Sequence, residues 1–191
     1  DRCSDVIPKQ DIAHIIFLTL SLDVLFQGCL MYNKILIPTD GSDISKSAAR
    51  AGVEFARQLD AEVLGIFIAP EYQYPIYVEV IPPSFPTEEE YRASMIQAGE
   101  IYLDDMRHEA DAAGVKFSAV TVFSDAIAHE IVHAAEHNGC DLIFMGSHGR
   151  SGWGQALLGS VTTKVLSTCQ IPVLVHRIKK DSMRQTGKKE V

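Results

Sequence analysis

Leu142-Ile143-Phe144-Met145-Gly146-Ser147-His148-Gly149-Arg150-Ser151-Gly152-Trp153-Gly154-Gln155-Ala156-Leu157-Leu158-Gly159-Ser160 is the stretch on which the reading of this chain turns. Its apolar start predicts a short buried strand, and Val161 to Ser167 predicts a helix capped by Ser160. Strand, glycine-rich loop and helix, in that order, suit a phosphate site. Glycines at 146, 149 and 159 permit positive φ and close approach of a ligand, while the helix start offers unpaired N–H groups and the positive end of its dipole. Such turns also occur in doubly wound domains that bind nothing, so the spacing has to decide. Gly154 and Gly159 have the outer spacing of a Walker loop, but Ser160-Val161 stands where Lys-Ser/Thr is required. A dinucleotide fingerprint would follow the first strand, where the chain has Pro38-Thr39-Asp40-Gly41-Ser42.

Working outward, Lys34 to Pro38 is a nearly continuous apolar run, as a central parallel strand buried on both faces requires. Asp40 lies just past it, and Ser42 to Ser45 can cap a helix reaching about Leu59. Asp40 is equally suited to an Asx-turn. Ala61 to Ala69 reads as a second strand. Pro70 to Pro86 carries five prolines, at 70, 75, 82, 83 and 86, interleaved with Tyr72, Tyr74, Tyr77 and Phe85; it predicts a loop whose aromatics cover a ligand or pack as a satellite cluster. Thr87 to Ala113 has helical spacing of Tyr91, Met95, Ala98, Tyr102, Met106 and Ala110, and Gly114 stops it. Val115 to Phe123 alternates as a sheet-edge strand does, Asp125 to Asn138 reads as a helix, and Ile171 to His176 forms the last strand, with Pro172 fitting an edge. The alternation βαβαβαβαβ predicts an α/β fold with a parallel five-stranded sheet covered by helices on both faces.

With those elements in place, Gly146, two residues, Gly149, nine residues, then Gly159-Ser160 resembles the G-x2-G-x9-G-[S/T] signature of the ATP-binding branch of the universal stress protein family. The flanks Asp141-Leu142-Ile143 and Val161 are similar too, and the likeness runs from about Met31 to Arg177. It implies a Rossmann-like, doubly wound sheet in the order 3-2-1-4-5, with a ligand crevice at the carboxyl ends of the first and fourth strands. Pro38, Thr39, Asp40, Ile68 and Met145 would then hold adenosine. Backbone groups of Gly146, Gly149, Gly159, Ser160 and Val161, the hydroxyls of Ser160 and Thr162, and the charge of Arg150 would hold phosphates. The implied ligand is ATP or another adenine nucleotide with Mg²⁺ or Mn²⁺, and the implied assembly is a homodimer through about Pro172 to His176. The implied role is a regulatory switch in the stress response, at most a slow ATPase. A homodimeric interaction module with a vestigial pocket is the alternative. The chain lacks the S-G-G-x-D-S and H-x-G-H motifs of ATP pyrophosphatases and adenylyl transferases. It departs from the family at Asp125-Ala126-Ile127-Ala128, where relatives often carry Gly-x-Pro-Ala.

The 191 residues are 47% hydrophobic, enough for one sizeable core. A net charge of −8 and a pI near 5.3 argue against a general nucleic-acid binder. Residues 31–178 are expected to form the domain and 179–191 a basic, flexible tail. Residues 1–30 are expected to be a non-native leader, because Ser21 to Gly28 resembles a viral 3C protease site of the kind built into expression vectors. Ile15 to Leu22 is too short to span a bilayer. Cys3, Cys29, Cys140 and Cys169 show no metal-ligand spacing, which suits free thiols in a cytoplasm. His129-Glu130-Ile131-Val132-His133, with His137 one turn further, matches H-E-x-x-H. Its imidazoles are expected on the face opposite Ile127, Ile131, Ala134 and Ala135, away from any shaped cavity, so a solvated stripe or adventitious zinc or nickel binding is expected rather than catalysis.

Overall fold

The computed structural model describes residues 32–75, 85–148 and 158–177. Within them, five strands and four helices alternate: β1 (Lys34–Thr39), α1 (Asp43–Leu59), β2 (Glu62–Ala69), α2 (Glu88–Ala113), β3 (Phe117–Phe123), α3 (Ile127–His137), β4 (Leu142–Gly146), α4 (Ser160–Thr168) and β5 (Val173–His176). All pairings are parallel and the order is β3-β2-β1-β4-β5, as the alternation and the family resemblance predict.

Burial explains which runs are continuously apolar. Ile35, Leu36 and Ile37 of β1 are fully buried because helices cover both faces of the sheet. One face packs Ile35, Ile37, Val53, Met106, Leu142 and Phe144. The other packs Leu36, Ile66, Ile131, Ile143, Met145 and Val165. Edge strands β3 and β5 are largely half-buried, which accounts for the alternation in one and the short apolar run of the other. The helix ends follow their sequence signals. Ser42 accepts from Ser45 N at the start of α1, and Thr87 with Glu90 forms a capping box on α2. Gly114 closes α2 in the left-handed region at φ 71°.

Two expectations are corrected here. The third helix starts at Ile127 rather than Asp125, and Ala126 caps it without a side-chain hydrogen bond. The last helix begins at Ser160 itself, with Gly159 as its N-cap. Ser160 therefore cannot fill the capping role, because its backbone is already helical.

The connections place a switch point between β1 and β4. The strand order means that the chain leaves β1 toward β2 on one side and leaves β4 toward β5 on the other. The ladder between β1 and β4 holds at Ile35↔Leu142 and Leu36↔Ile143. Both strands then run on, through Ile37–Thr39 and Phe144–Gly146, without further paired positions. In open α/β sheets, that end of the central pair is where a ligand crevice is expected.

Candidate functional site

The turn after β1 forms one wall. Gly41 adopts φ +77°, a conformation that L side chains rarely take, and a Cβ there would lie 2.4 Å from the Tyr102 ring. Tyr102 thus packs where only hydrogen fits. The Asp40 carboxylate accepts from Ser42 N at 3.0 Å, an Asx-turn that sets the chain for α1. Ser45 Oγ donates to the Ser42 carbonyl at 2.9 Å, so the Thr39 hydroxyl, 3.2 Å from Ser45 Oγ, donates to it. Thr39 also accepts from Gly41 N. Both hydroxyls are buried and shape the turn from within.

The two ends of the glycine loop form the facing wall. Ser147 N donates to His176 O at 2.9 Å, and Gly159 N donates to Ser147 O at 2.8 Å, which stitches the exit of β4 to β5 and to the entry of α4. The Thr162 hydroxyl, 3% exposed, donates to the Gly146 carbonyl at 3.1 Å and reaches the Ser147 carbonyl at 3.4 Å. His148 Nδ1 lies 3.2 Å from Ser147 Oγ. Gly146 and Gly159 do not use positive φ, contrary to the sequence expectation: among the described glycines it occurs at 41, 114 and 139. Their missing side chains serve close approach instead. A Cβ on Gly159 would sit 3.3 Å from His148 Cα and from Ser147 O, and one on Gly146 would sit 3.3 Å from His148 O. Among the described residues no side chain caps α4, which leaves the N–H groups of Ser160 and Val161 at the positive end of the helix dipole.

The remaining expected residues fall into three groups. Ile68 and Met145, 8% and 4% exposed, lie in one apolar cluster on the face covered by α3 and α4, and offer a greasy floor under the mouth. Pro38, half-buried, lies two residues beyond Leu36 on β1, on the same face as that floor. Ser160 is exposed at the helix start, and Val161 is half-buried beside it. Gly149 and Arg150 lie outside the described residues, as do the Gly149–Leu157 span of the loop, Tyr77 and Met31. The cavities found elsewhere, about 490 Å³ between α2 and β3 and about 440 Å³ near Asp60 and Lys116, share no residue with this crevice.

The histidine stripe lies elsewhere. His129, His133 and His137 stack along the outside of α3, with ring centroids 6.1 and 5.8 Å apart, while Ile131, Ala134 and Ala135 face the core. Among the described residues no three His, Cys, Asp or Glu are grouped to hold a metal ion. Burial pushes the Cys140 thiol up to about 11 and raises Cys169 as well, so both are neutral, poorly nucleophilic thiols.

The universal stress protein family model matches residues 31–177. The chain belongs to the universal stress protein family. Universal stress protein MJ0531 of Methanocaldococcus jannaschii is 35% identical over 156 residues, covering 80% of this chain and 86% of that protein. YxiE of Bacillus subtilis is 35% identical over 163 residues, 77% of this chain and all of that one. The solved structure of MJ0577 from M. jannaschii superposes with a TM-score of 0.64 at 29% identity, covering 78% of this chain and 99% of the other. Two family structures at 21% and 19% identity, TM-scores 0.53 and 0.52, were solved with cAMP and with dAMP; each covers 75–76% of this chain and 97% of its own, and their likeness to it is one of fold.

Sequence reasoning missed three participants. Gly41 lacks a local signal beyond following Asp40, because the residue that requires it, Tyr102, is supplied by a distant helix. Ser147 and His148 stood inside the quoted loop, but only the fold shows Ser147 linking β5, Gly159 and Thr162.

Proposed function

We propose that this chain binds ATP or another adenine nucleotide in the crevice between β1 and β4, and that the bound state acts as a regulatory switch in the stress response. The observation that carries the reading is the juxtaposition at one rim of the Asp40 turn, the apolar floor of Ile68 and Met145, and the uncapped start of α4. An adenosine group would lie on that floor beside Pro38, Thr39 and Asp40. Phosphates would lie at the backbone N–H groups of Ser160 and Val161, where the helix dipole favours negative charge, while Gly159, whose own N–H is given to Ser147 O, allows the close approach. Gly146, Gly149 and Arg150 would complete the cradle, Arg150 by its charge. Thr162 acts in this reading by holding the two ends of the loop, since its hydroxyl is already given to backbone carbonyls. Mg²⁺ or Mn²⁺ would be held chiefly by phosphate oxygens and water, as suits an ion that dehydrates reluctantly. Hydrolysis, if coupled, is expected to be slow, because the Asp40 carboxylate and the Thr162 hydroxyl are engaged in backbone hydrogen bonds that hold the two walls.

A second copy of the chain pairing along β5 is part of the same proposal. Its four residues are half-buried and, among the described residues, form the last strand of the sheet, with one edge open to pairing. The same edge favours the alternative, an interaction module with a vestigial pocket. Free, burial-raised thiols suit a reducing cytoplasm.

Denaturing protein purified without added ligand, and identifying the released small molecules by chromatography, separates the two readings. About one adenine nucleotide per chain, or saturable ATP binding where none is carried over, is expected. A folded, dimeric sample that neither releases nor binds nucleotide would leave the interaction module.

A further inference from the structure

The connector after β2 is clasped by a carboxylate at the entry to α3. Asp125 Oδ1 accepts from Glu71 N at 3.1 Å, and Oδ2 accepts from Gln73 Nε2 at 3.1 Å. These bonds join segments more than fifty residues apart in the chain. The connector is also held from the α2 side, where Tyr91 Oη donates to Pro70 O at 3.0 Å, and Arg92 approaches Glu71 at 3.8 Å while stacking 4.1 Å over Phe123. Ser124 N continues the β2–β3 pairing by donating to Ala69 O. The α3 side therefore depends on Asp125, and this is the place where the chain departs from Gly-x-Pro-Ala. A glycine there would have no carboxylate to offer.

The clasp lies beside the floor of the crevice. Ile68 is opposite Val122 in the β2–β3 register, and both pack in the cluster that holds Met145 and Ile127. Pro70 to Gln73 leave β2 two residues beyond Ile68, and Asp125 leads into Ile127. Fixing one to the other fixes the border of the apolar floor on the side away from the phosphates.

We propose that Asp125 is a positioning residue for base recognition: its two-pronged clasp holds residues 70–73 as the wall of the adenine end of the crevice. The inference rests on the adenine-nucleotide reading above. The clasp acts on the base end alone, so its loss lowers affinity for ATP while sparing interactions at the phosphate end.

The test compares wild type, Asp125→Ala and Asp125→Asn for ATP and GTP binding in the presence of Mg²⁺, together with amide hydrogen exchange at residues 71–74. Wild type is expected to prefer ATP. Asp125→Ala should exchange faster at Glu71 and bind ATP roughly ten-fold more weakly, the equivalent of a charged hydrogen-bond pair lost at a partly exposed site. GTP affinity should change little. Asp125→Asn, which keeps one acceptor for Glu71 N, should recover part of the ATP preference. Unchanged ATP affinity in Asp125→Ala would overturn the proposal, and so would an equal loss for ATP and GTP, which marks a general loosening. A wild type that binds both nucleotides alike would also overturn it while leaving nucleotide binding intact. A wild type that binds neither would take down the nucleotide reading and this inference together.

Discussion

The two rims of the sheet are built from the same strands and do opposite things with their polar groups. At the amino rim the groups satisfy one another. Asp141 accepts from Asn33 N at 2.8 Å, from Asn33 Nδ2 at 3.1 Å and from Lys34 N at 3.1 Å; Lys34 Nζ reaches Asn138 O; Lys116 pairs with Glu62 at 2.9 Å. At the carboxyl rim β1 and β4 stop pairing, Gly41 turns through positive φ, and α4 starts without a side-chain cap. Closing one end firmly lets the other stay chemically open. Stability and binding should therefore respond to different substitutions, although β1 and β4 contribute to both rims.

The largest separation is expected from Gly159→Val. Its Cβ meets backbone at Ser147 and His148, which cannot give as a flexible side chain would. Relieving that clash requires the loop backbone to shift away from the start of α4, which should lower ATP affinity by about a hundred-fold by calorimetry. An unchanged affinity would break the comparison at its carboxyl end. Asp141→Ala is the mirror experiment: losing three acceptor contacts should cost about 2 kcal/mol in urea unfolding and leave ATP affinity unchanged. A marked effect on affinity would show that the rims are not independent. Thr162→Val removes a donor from the Gly146 carbonyl in a buried place, while Ser147 O keeps its bond from Gly159 N. It should lower ATP affinity by about ten-fold, with stability falling by about 1 kcal/mol.

The smallest effect on ATP affinity accompanies a pH dependence of stability at the amino rim. The Cys140 thiol, ordinarily near 9, is pushed by burial to about 11, so the folded state keeps a proton that the unfolded state releases. Stability from this group is complete below about pH 9 and is lost as pH rises toward 11, at up to about 1.4 kcal/mol per pH unit. The difference between wild type and Cys140→Ala in unfolding free energy should therefore shift with that sign between pH 9 and 11, in favour of the variant. ATP affinity below pH 9 should not move.

What could be read in the residues beforehand divides along physical lines. The apolar runs of β1, β2 and β4, the helical spacing from Thr87 to Ala113 and the stop at Gly114 are local signals, and each lies where its pattern predicts. The place where the glycine loop leaves the sheet, beside the end of β1, was legible because strand alternation and order fix it. Effects that depend on distant neighbours were not legible. Gly41 is required by a ring on α2, Gly159 by the backbone it closes against, and the departure at Asp125 acquires a role only when Glu71 and Gln73 come to meet it. The capping assignment of Ser160 fails for a related reason: the preceding glycine takes the N-cap position with extended backbone at φ −70° and ψ 159°. The histidine stripe was read as solvated from its phase against Ile131 and Ala135, and its rings do lie outside.

The account's central claim is that two segments more than a hundred residues apart form one ligand site. Backbone amide chemical shifts followed during titration with ATP and Mg²⁺ address it directly. The account predicts saturating changes that follow one binding curve at Thr39 to Ser42 and at Gly159 to Thr162, with the amides of Asn33, Lys34 and Asp141 unmoved. No saturable change in folded protein would contradict it, as would changes confined to the cavity between α2 and β3.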